Sequence, residues 1–294
     1  MQIKTVRYRK IAYFLVIPTT FILLVLTVFP LLYSFYVSFT DYALNVAKKP
    51  SFSGLSNYIS AFSDMRFIGS IFNTIKIAIP ALILEVLLGL IFALVLNRKV
   101  KFRAIIVALL VTPVMIAPSA AGLSFRLLYS PQYGPINYLL SKIAGQTIMI
   151  DWLGNVKSAI NSIMLVDVWQ NTPFVALVLL AGLSAISMEL YEAGKIDGAN
   201  AISAFRYITL PMLKPVLVVV ILFRTIDLVK FFDLVFVLTM GGPAASTETL
   251  SFYTYFIGLR YLRVGYGAAI SFIILISVGI LVSFLIKAFR QQEA

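Results

Sequence analysis

The sequence predicts an all-α membrane protein with six transmembrane helices and both termini cytoplasmic. Three observations carry that expectation. Of 294 residues, 61% are apolar and 12% charged, where a globular domain carries about a quarter charged. Mean hydropathy is +0.97. Six stretches, roughly 11–39, 70–96, 104–128, 159–183, 213–240 and 265–286, reach the ~20 residues a helix needs to cross the hydrocarbon core. The expected organisation is an N-terminal helix with its extracytoplasmic loop (1–66), then a five-helix core (67–294) with a cytoplasmic loop at 184–214.

The first stretch follows the basic start MQIKTVRYRK. A cleaved signal peptide would have a shorter apolar run and a small-residue cleavage site after it, so a retained helix is expected. The second carries Lys76, placed to snorkel toward the interface. It also carries Glu85, deep enough to need a counter-charge from another span or a partner. The third contains Pro113 and Pro118, which interrupt a helix by removing donors, and Ser119 follows that interruption. In the fourth, Asp167, Gln170, Asn171 and Phe174 fall at i, i+3, i+4 and i+7, on one helical face. In the fifth, Arg224, Asp227 and Phe231 repeat that spacing, with Lys230 adjacent. Polar groups inside a span usually face a cavity or a partner. An aromatic ring beside amides and carboxylates suits a sugar, which has apolar faces and hydroxyl edges. Asp167, Gln170, Asn171, Phe174, Arg224, Asp227, Phe231 and Ser119 are the substrate-path candidates, Lys76 and Glu85 are not, and Arg224 pairing with Asp227 or with a partner as structural glue is the competing reading.

Orientation follows from charge. Lys and Arg number thirteen in segments 1–10, 98–103, 184–214 and 287–294, against seven in 41–67, 129–157 and 241–264. The richer set should be cytoplasmic. The net charge of +12 is therefore a topological signal facing anionic lipid rather than nucleic acid. The chain has no Cys and no His, so disulfides, thiol nucleophiles and the common zinc sites are excluded, and general acid–base catalysis near neutral pH is disfavoured.

The longest cytoplasmic loop contains ELYEAGKIDGANAISAFRYITLP, residues 189–211. Its Gly194-Lys195 is no phosphate-binding loop, because Ile196 follows where Ser or Thr must hold magnesium and Glu189 occupies the required upstream glycine. Local chemistry predicts two short helices meeting at an angle. Ser187 caps the first, Glu189 and Glu192 sit in its early turns, and Gly198 breaks it. The second runs over roughly 200–209, and Pro211 and Pro215 open the next membrane helix. Spacing alone leaves two readings, an amphipathic loop on the membrane face or a surface gripped by another protein.

The stretch resembles the EAA loop of bacterial ABC-importer permeases: E-A-A, three residues, G, nine residues, I-x-L-P. Glu192, Ala193, Gly198, Ile208, Leu210 and Pro211 match without a gap, and Gly194 replaces the second Ala. FSGLSNY (52–58), APSAAGLSFRLLYSPQYGPIN (117–137) and GGPAASTETL (241–250) are similar to outer segments of the carbohydrate branch of that family. The resemblance implies a type I ABC importer permease in a bacterial cytoplasmic membrane. It implies a second homologous permease, two cytoplasmic ATPase subunits that use ATP and magnesium, and an extracytoplasmic solute-binding protein. It gives the chain itself no cofactor and no metal. Glu192, Ala193, Gly194, Asp197, Gly198, Ile208, Leu210 and Pro211 would then form the coupling surface for the ATPase. A gradient-driven carrier is disfavoured because the two halves show no inverted repeat. A permease for another solute class is the serious alternative.

Overall fold

The computed structural model describes residues 2–47, 49–98 and 100–290. Lys48, Lys99 and residues 291–294, which enter the charge count, lie outside the described residues. Among those described, the regular secondary structure is helical apart from one isolated bridge, Thr40 to Phe52. In chain order the helices are α1 (Gln2–Ser38), α2 (Ser56–Ser63), α3 (Met65–Leu96), α4 (Arg103–Met115), α5 (Pro118–Leu128), α6 (Pro135–Ala144) and α7 (Val156–Ser184). Then follow α8 (Met188–Ile196), α9 (Ala201–Ala204), α10 (Leu210–Val229), α11 (Asp233–Leu238), α12 (Leu250–Tyr255) and α13 (Val264–Arg290). Two π-helical turns, Phe205–Thr209 and Phe256–Arg260, lead into α10 and out of α12.

Among the described residues, four helices are long and apolar enough to cross a membrane, and up to five if α4 and α5 count as one bent span. They are α1, α3, α7 and α13, whose ends fall within five residues of the first, second, fourth and sixth stretches read from sequence, save that α1 starts at Gln2. The third stretch is not one straight helix. Its two halves are bent by 95° at Ile116–Ala117, where Pro118 cannot donate and drives the preceding residue out of the α region. The fifth stretch is broken too. α10 begins at Leu210, ahead of the expected 213, and ends at Val229, and α11 resumes at Asp233. Lys214, Arg224 and Asp227 put three charges into α10 and make it less apolar than the other spans.

The chain forms two compact units. One comprises residues 1–64 and 254–275, the other 65–253 and 276–294. In the first, Asn57 Nδ2 donates to the carbonyls of Ser38 and Thr40 at 2.9 and 2.8 Å, tying off the C-terminus of α1. Tyr58 and Ser38 hydroxyls bond at 2.7 Å, and Tyr266 donates to Asp64 at 2.8 Å. None of the most apolar window of α1 is buried within the chain.

The second unit holds the core. α7 is its centre, with 61% of its apolar window buried, and its most extensive neighbour is α3. The two backbones approach closely at Gly89, where an added Cβ would lie 2.6 Å from Val175 Cγ1 and 3.1 Å from the Ala176 nitrogen. Small residues at such crossings let helices pack when apolar lipid removes the hydrophobic drive between them. Ala93, Leu96, Val175, Leu179, Leu183, Leu213 and Val220 close a cluster between α3, α7 and α10.

Candidate functional site

Both helix breaks of the second unit open onto the same side of α7. There they enclose a cavity of about 330 Å³ lined by Val114, Ile116 and Pro118 from the α4–α5 break, Asp167, Gln170 and Asn171 from α7, and Arg224, Asp227 and Lys230–Leu234 from the α10–α11 break. Breaking a helix exposes carbonyls that an apolar medium cannot satisfy, and side chains supply the missing bonds. Gln170 Nε2 donates to the Ile116 carbonyl at 2.7 Å. Thr249 Oγ1 donates to the Phe231 carbonyl at 2.6 Å. The segment carrying Thr249 is held in turn by Asn73, whose Nδ2 donates to the carbonyls of Ala245 and Glu248 at 3.0 and 3.2 Å. Arg66 forks both Glu248 oxygens. Unwound backbone is therefore stable here, and it lines a polar cavity, as broken helices at transport sites do.

Arg224 anchors the charge arrangement. It is 3% exposed, and its Nε and Nη2 donate to Glu85 at 2.6 and 2.8 Å. Nη2 also donates to Asp167 Oδ2 at 2.9 Å. Asp167 Oδ1 in turn accepts from Asn171 Nδ2 at 2.8 Å. Three helices, α3, α7 and α10, are thus joined by one guanidinium, the geometry for which Arg's planar fork is suited. The spacing-based pairing of Arg224 with Asp227 is secondary: Nη1 lies 3.5 Å from an Asp227 carboxylate that is 62% exposed. Glu85, expected to find a counter-charge on another span, finds it in Arg224 on α10.

The cavity gathers Asp167, Gln170, Asn171, Arg224, Asp227 and Phe231 from the candidate list, but neither Phe174 nor Ser119. Phe174 keeps the helical face but lies a further turn along α7 from Asn171, ~4.5 Å by the helical rise, and packs against the α3–α7–α10 cluster. Ser119 is exposed on α5, just past Pro118, which does line the cavity. Sequence reasoning missed Phe232, Asp233 and Leu234. The break at Lys230–Phe232 was the missing information, since a helix running unbroken to residue 240 turns Asp233 elsewhere.

The loop at 184–214 builds a second surface. Ser187 accepts from the Glu189 nitrogen and caps α8. The helix closes at Asp197 and Gly198, where φ is +83°, a conformation that glycine adopts without strain. Asn200 then accepts from the nitrogens of Ile202 and Ser203 and starts α9. The expected second helix does not end at residue 209. It passes through the π turn directly into α10, with the Leu210 N–H reaching back to the Phe205 carbonyl. A π turn widens the backbone just ahead of Pro211, whose ring would press on the carbonyl four residues earlier in a regular α-helix. Gly194 stays helical, and an added Cβ there would meet Ile208 Cδ1 at 2.9 Å. Tyr191 and Thr209 hydroxyls join the two limbs at 3.0 Å. Glu192, Ala193, Asp197, Gly198, Leu210 and Pro211 face outward, as do Ile196, Ile202 and Tyr207, each more than 70% exposed.

A polar cavity between two broken helices inside an apolar helical core is the layout of a membrane permease. The family model of the binding-protein-dependent transport system inner membrane component matches residues 77–292, and the chain belongs to that family. It is 39% identical to the trehalose/maltose transport system permease protein MalF of Thermococcus litoralis over 83% of this chain and 82% of that one. It is 34% identical to the sulfoquinovosyl glycerol transport system permease protein SmoG of Agrobacterium fabrum, over 90% and 85%. Its fold matches a chain of a bacterial ABC transporter involved in import of the acidic polysaccharide alginate, with a TM-score of 0.84 over 98% of both chains at 21% identity. The chain is thus a multi-pass inner-membrane component of a binding-protein-dependent transport system.

Proposed function

We propose that this chain is a permease subunit of an ABC importer that moves a sugar or oligosaccharide inward by alternating access. It pairs with a second permease in a bacterial inner membrane and receives solute from an extracytoplasmic binding protein. Two cytoplasmic ATPase subunits hydrolyse ATP with magnesium and act on the loop at 184–214. Six spans, with α4–α5 and α10–α11 as the two broken ones, place both termini on the cytoplasmic side with that loop. The observation that carries this reading is the convergence of two helix breaks and the polar face of α7 on one cavity. Relatives named for trehalose, maltose and sulfoquinovosyl glycerol support a carbohydrate solute. Exposed Ile196, Ile202 and Tyr207 on a charged loop support docking of a partner.

Alternating access follows from these parts. ATP closing the two ATPases draws the paired loops together and opens the cavity to the binding protein. Hydrolysis lets it reopen inward. The test is co-purification of the tagged chain from gentle detergent, wild type against Gly198→Asp. Bands at ATPase and second-permease size, with the ATPase band lost in the variant, support the proposal. A chain that purifies alone and transports in vesicles without ATP would overturn it.

A further inference from the structure

The charge balance of the cavity restricts what can pass. We infer that the transported solute is uncharged and hydroxyl-rich, and that carboxylated, phosphorylated or sulfonated analogues are rejected; the inference rests on the cavity being the solute site, as proposed above. Two cations stand at the wall, Arg224 and Lys230, against Asp167, Asp227 and Asp233, with Glu85 directly behind. The formal balance is negative, and one proton shared among the carboxylates would leave it so. Arg224 is not available to an incoming anion, because its Nε and Nη2 are held by Glu85 and Asp167 and its Nη1 faces Asp227. Lys230 is exposed, with Asp227 and Asp233 three residues to either side.

The hydrogen-bonding inventory points the same way. Asn171 Nδ2 donates to both the carbonyl and the carboxylate of Asp167, and Gln170 Nε2 gives one of its two N–H groups to the Ile116 carbonyl, leaving a single amide donor. Their amide oxygens and the carboxylates of Asp227 and Asp233 remain as acceptors. A wall rich in acceptors is met by a solute that brings donors, as hydroxyls do. An anionic group on such a solute adds acceptors alone and like charge, whose repulsion low local dielectric amplifies. Phe231 and Phe232 add an apolar wall on which the C–H face of a sugar ring can lie.

The test uses matched twins that differ by one charged group, trehalose with trehalose 6-phosphate and maltitol with maltobionate. Binding to the purified importer complex in nanodiscs is measured without the solute-binding protein, so that its own selectivity does not enter. The expected result is that the neutral twin binds at least about tenfold tighter, and that the double variant Asp227→Asn/Asp233→Asn narrows the gap about tenfold. Both positions are exposed, so the variant is expected to fold. An anionic twin that binds as well as the neutral one, or a gap the variant does not move, overturns the inference and leaves the importer assignment standing. A wild-type complex that binds neither twin removes the cavity as a sugar site, and the inference with it.

Discussion

At the residue scale, Arg224 is held by charges that only the fold brings together. Removing one member of a buried ion pair typically costs about 3–5 kcal/mol, because the remaining charge keeps its desolvation penalty. Glu85→Ala should therefore lower the thermal midpoint of the detergent-solubilised chain sharply, while Asp227→Asn should leave it nearly unchanged, within ~0.5 kcal/mol. Fluorescence-detected size-exclusion after heating measures both, and equal loss in the two variants would show that Asp227 is as strong a partner as Glu85. Replacing the network as a set, Glu85→Leu with Asp167→Leu and Arg224→Leu, should recover much of what Glu85→Ala loses. The sequence made the Asp167–Asn171 and Arg224–Asp227 spacings legible, since i+3 and i+4 neighbours follow from helix geometry alone. The Glu85–Arg224 bond was not legible, because 139 residues separate the partners and no local pattern says which helix faces which.

At the element scale, glycine positions divide into those that permit packing and those that set a turn. Gly89→Val should destabilise the core by about 1–3 kcal/mol, since the first added carbon already meets Val175 and the Ala176 backbone. Gly194→Ala should be tolerated and gain up to ~1 kcal/mol of helix propensity, because only the mobile end of Ile208 must give way. Circular dichroism melts of the purified chain separate these two outcomes, and a destabilised Gly194→Ala would mean that Ile208 cannot move. The two-limbed loop was legible from Ser187, Gly198 and the prolines, whose chemistry is local. The 95° bend of the third stretch and the π turn before Pro211 were not. A proline announces an interruption without stating its angle, and its effect on the preceding turn depends on what the chain packs against.

At the scale of the whole molecule, four of the six apolar stretches are single helices and two are broken. Hydropathy reports the burial of a segment in lipid, so it found all six stretches and was blind to the breaks that make the cavity. The helix at the N-terminus shows the complementary limit. No part of its most apolar window is buried within the chain, so its environment in the assembly is lipid or another subunit. The chain contains no cysteine, so single cysteines at Leu24 and Phe29 can be labelled uniquely. Labelling from the lipid phase at equal rates in the isolated chain and in the full complex is expected if lipid covers α1. Protection in the complex alone would assign that face to the second permease.

The π turn has a consequence for how force travels. Because α9, the π turn and α10 are continuous from Ala201 to Val229, a single helical rod, ~43 Å long at the α-helical rise, has one end in the loop and the other in the cavity wall. If the ATPases act on the loop as proposed, a sideways load there is carried along that helix as a lever arm, and Arg224 is the pin that fastens it to α3 and α7 near its far end. Motion at the loop therefore either swings the cavity wall about that pin or shears the pin itself, and the stiffness of one guanidinium's bonds sets which.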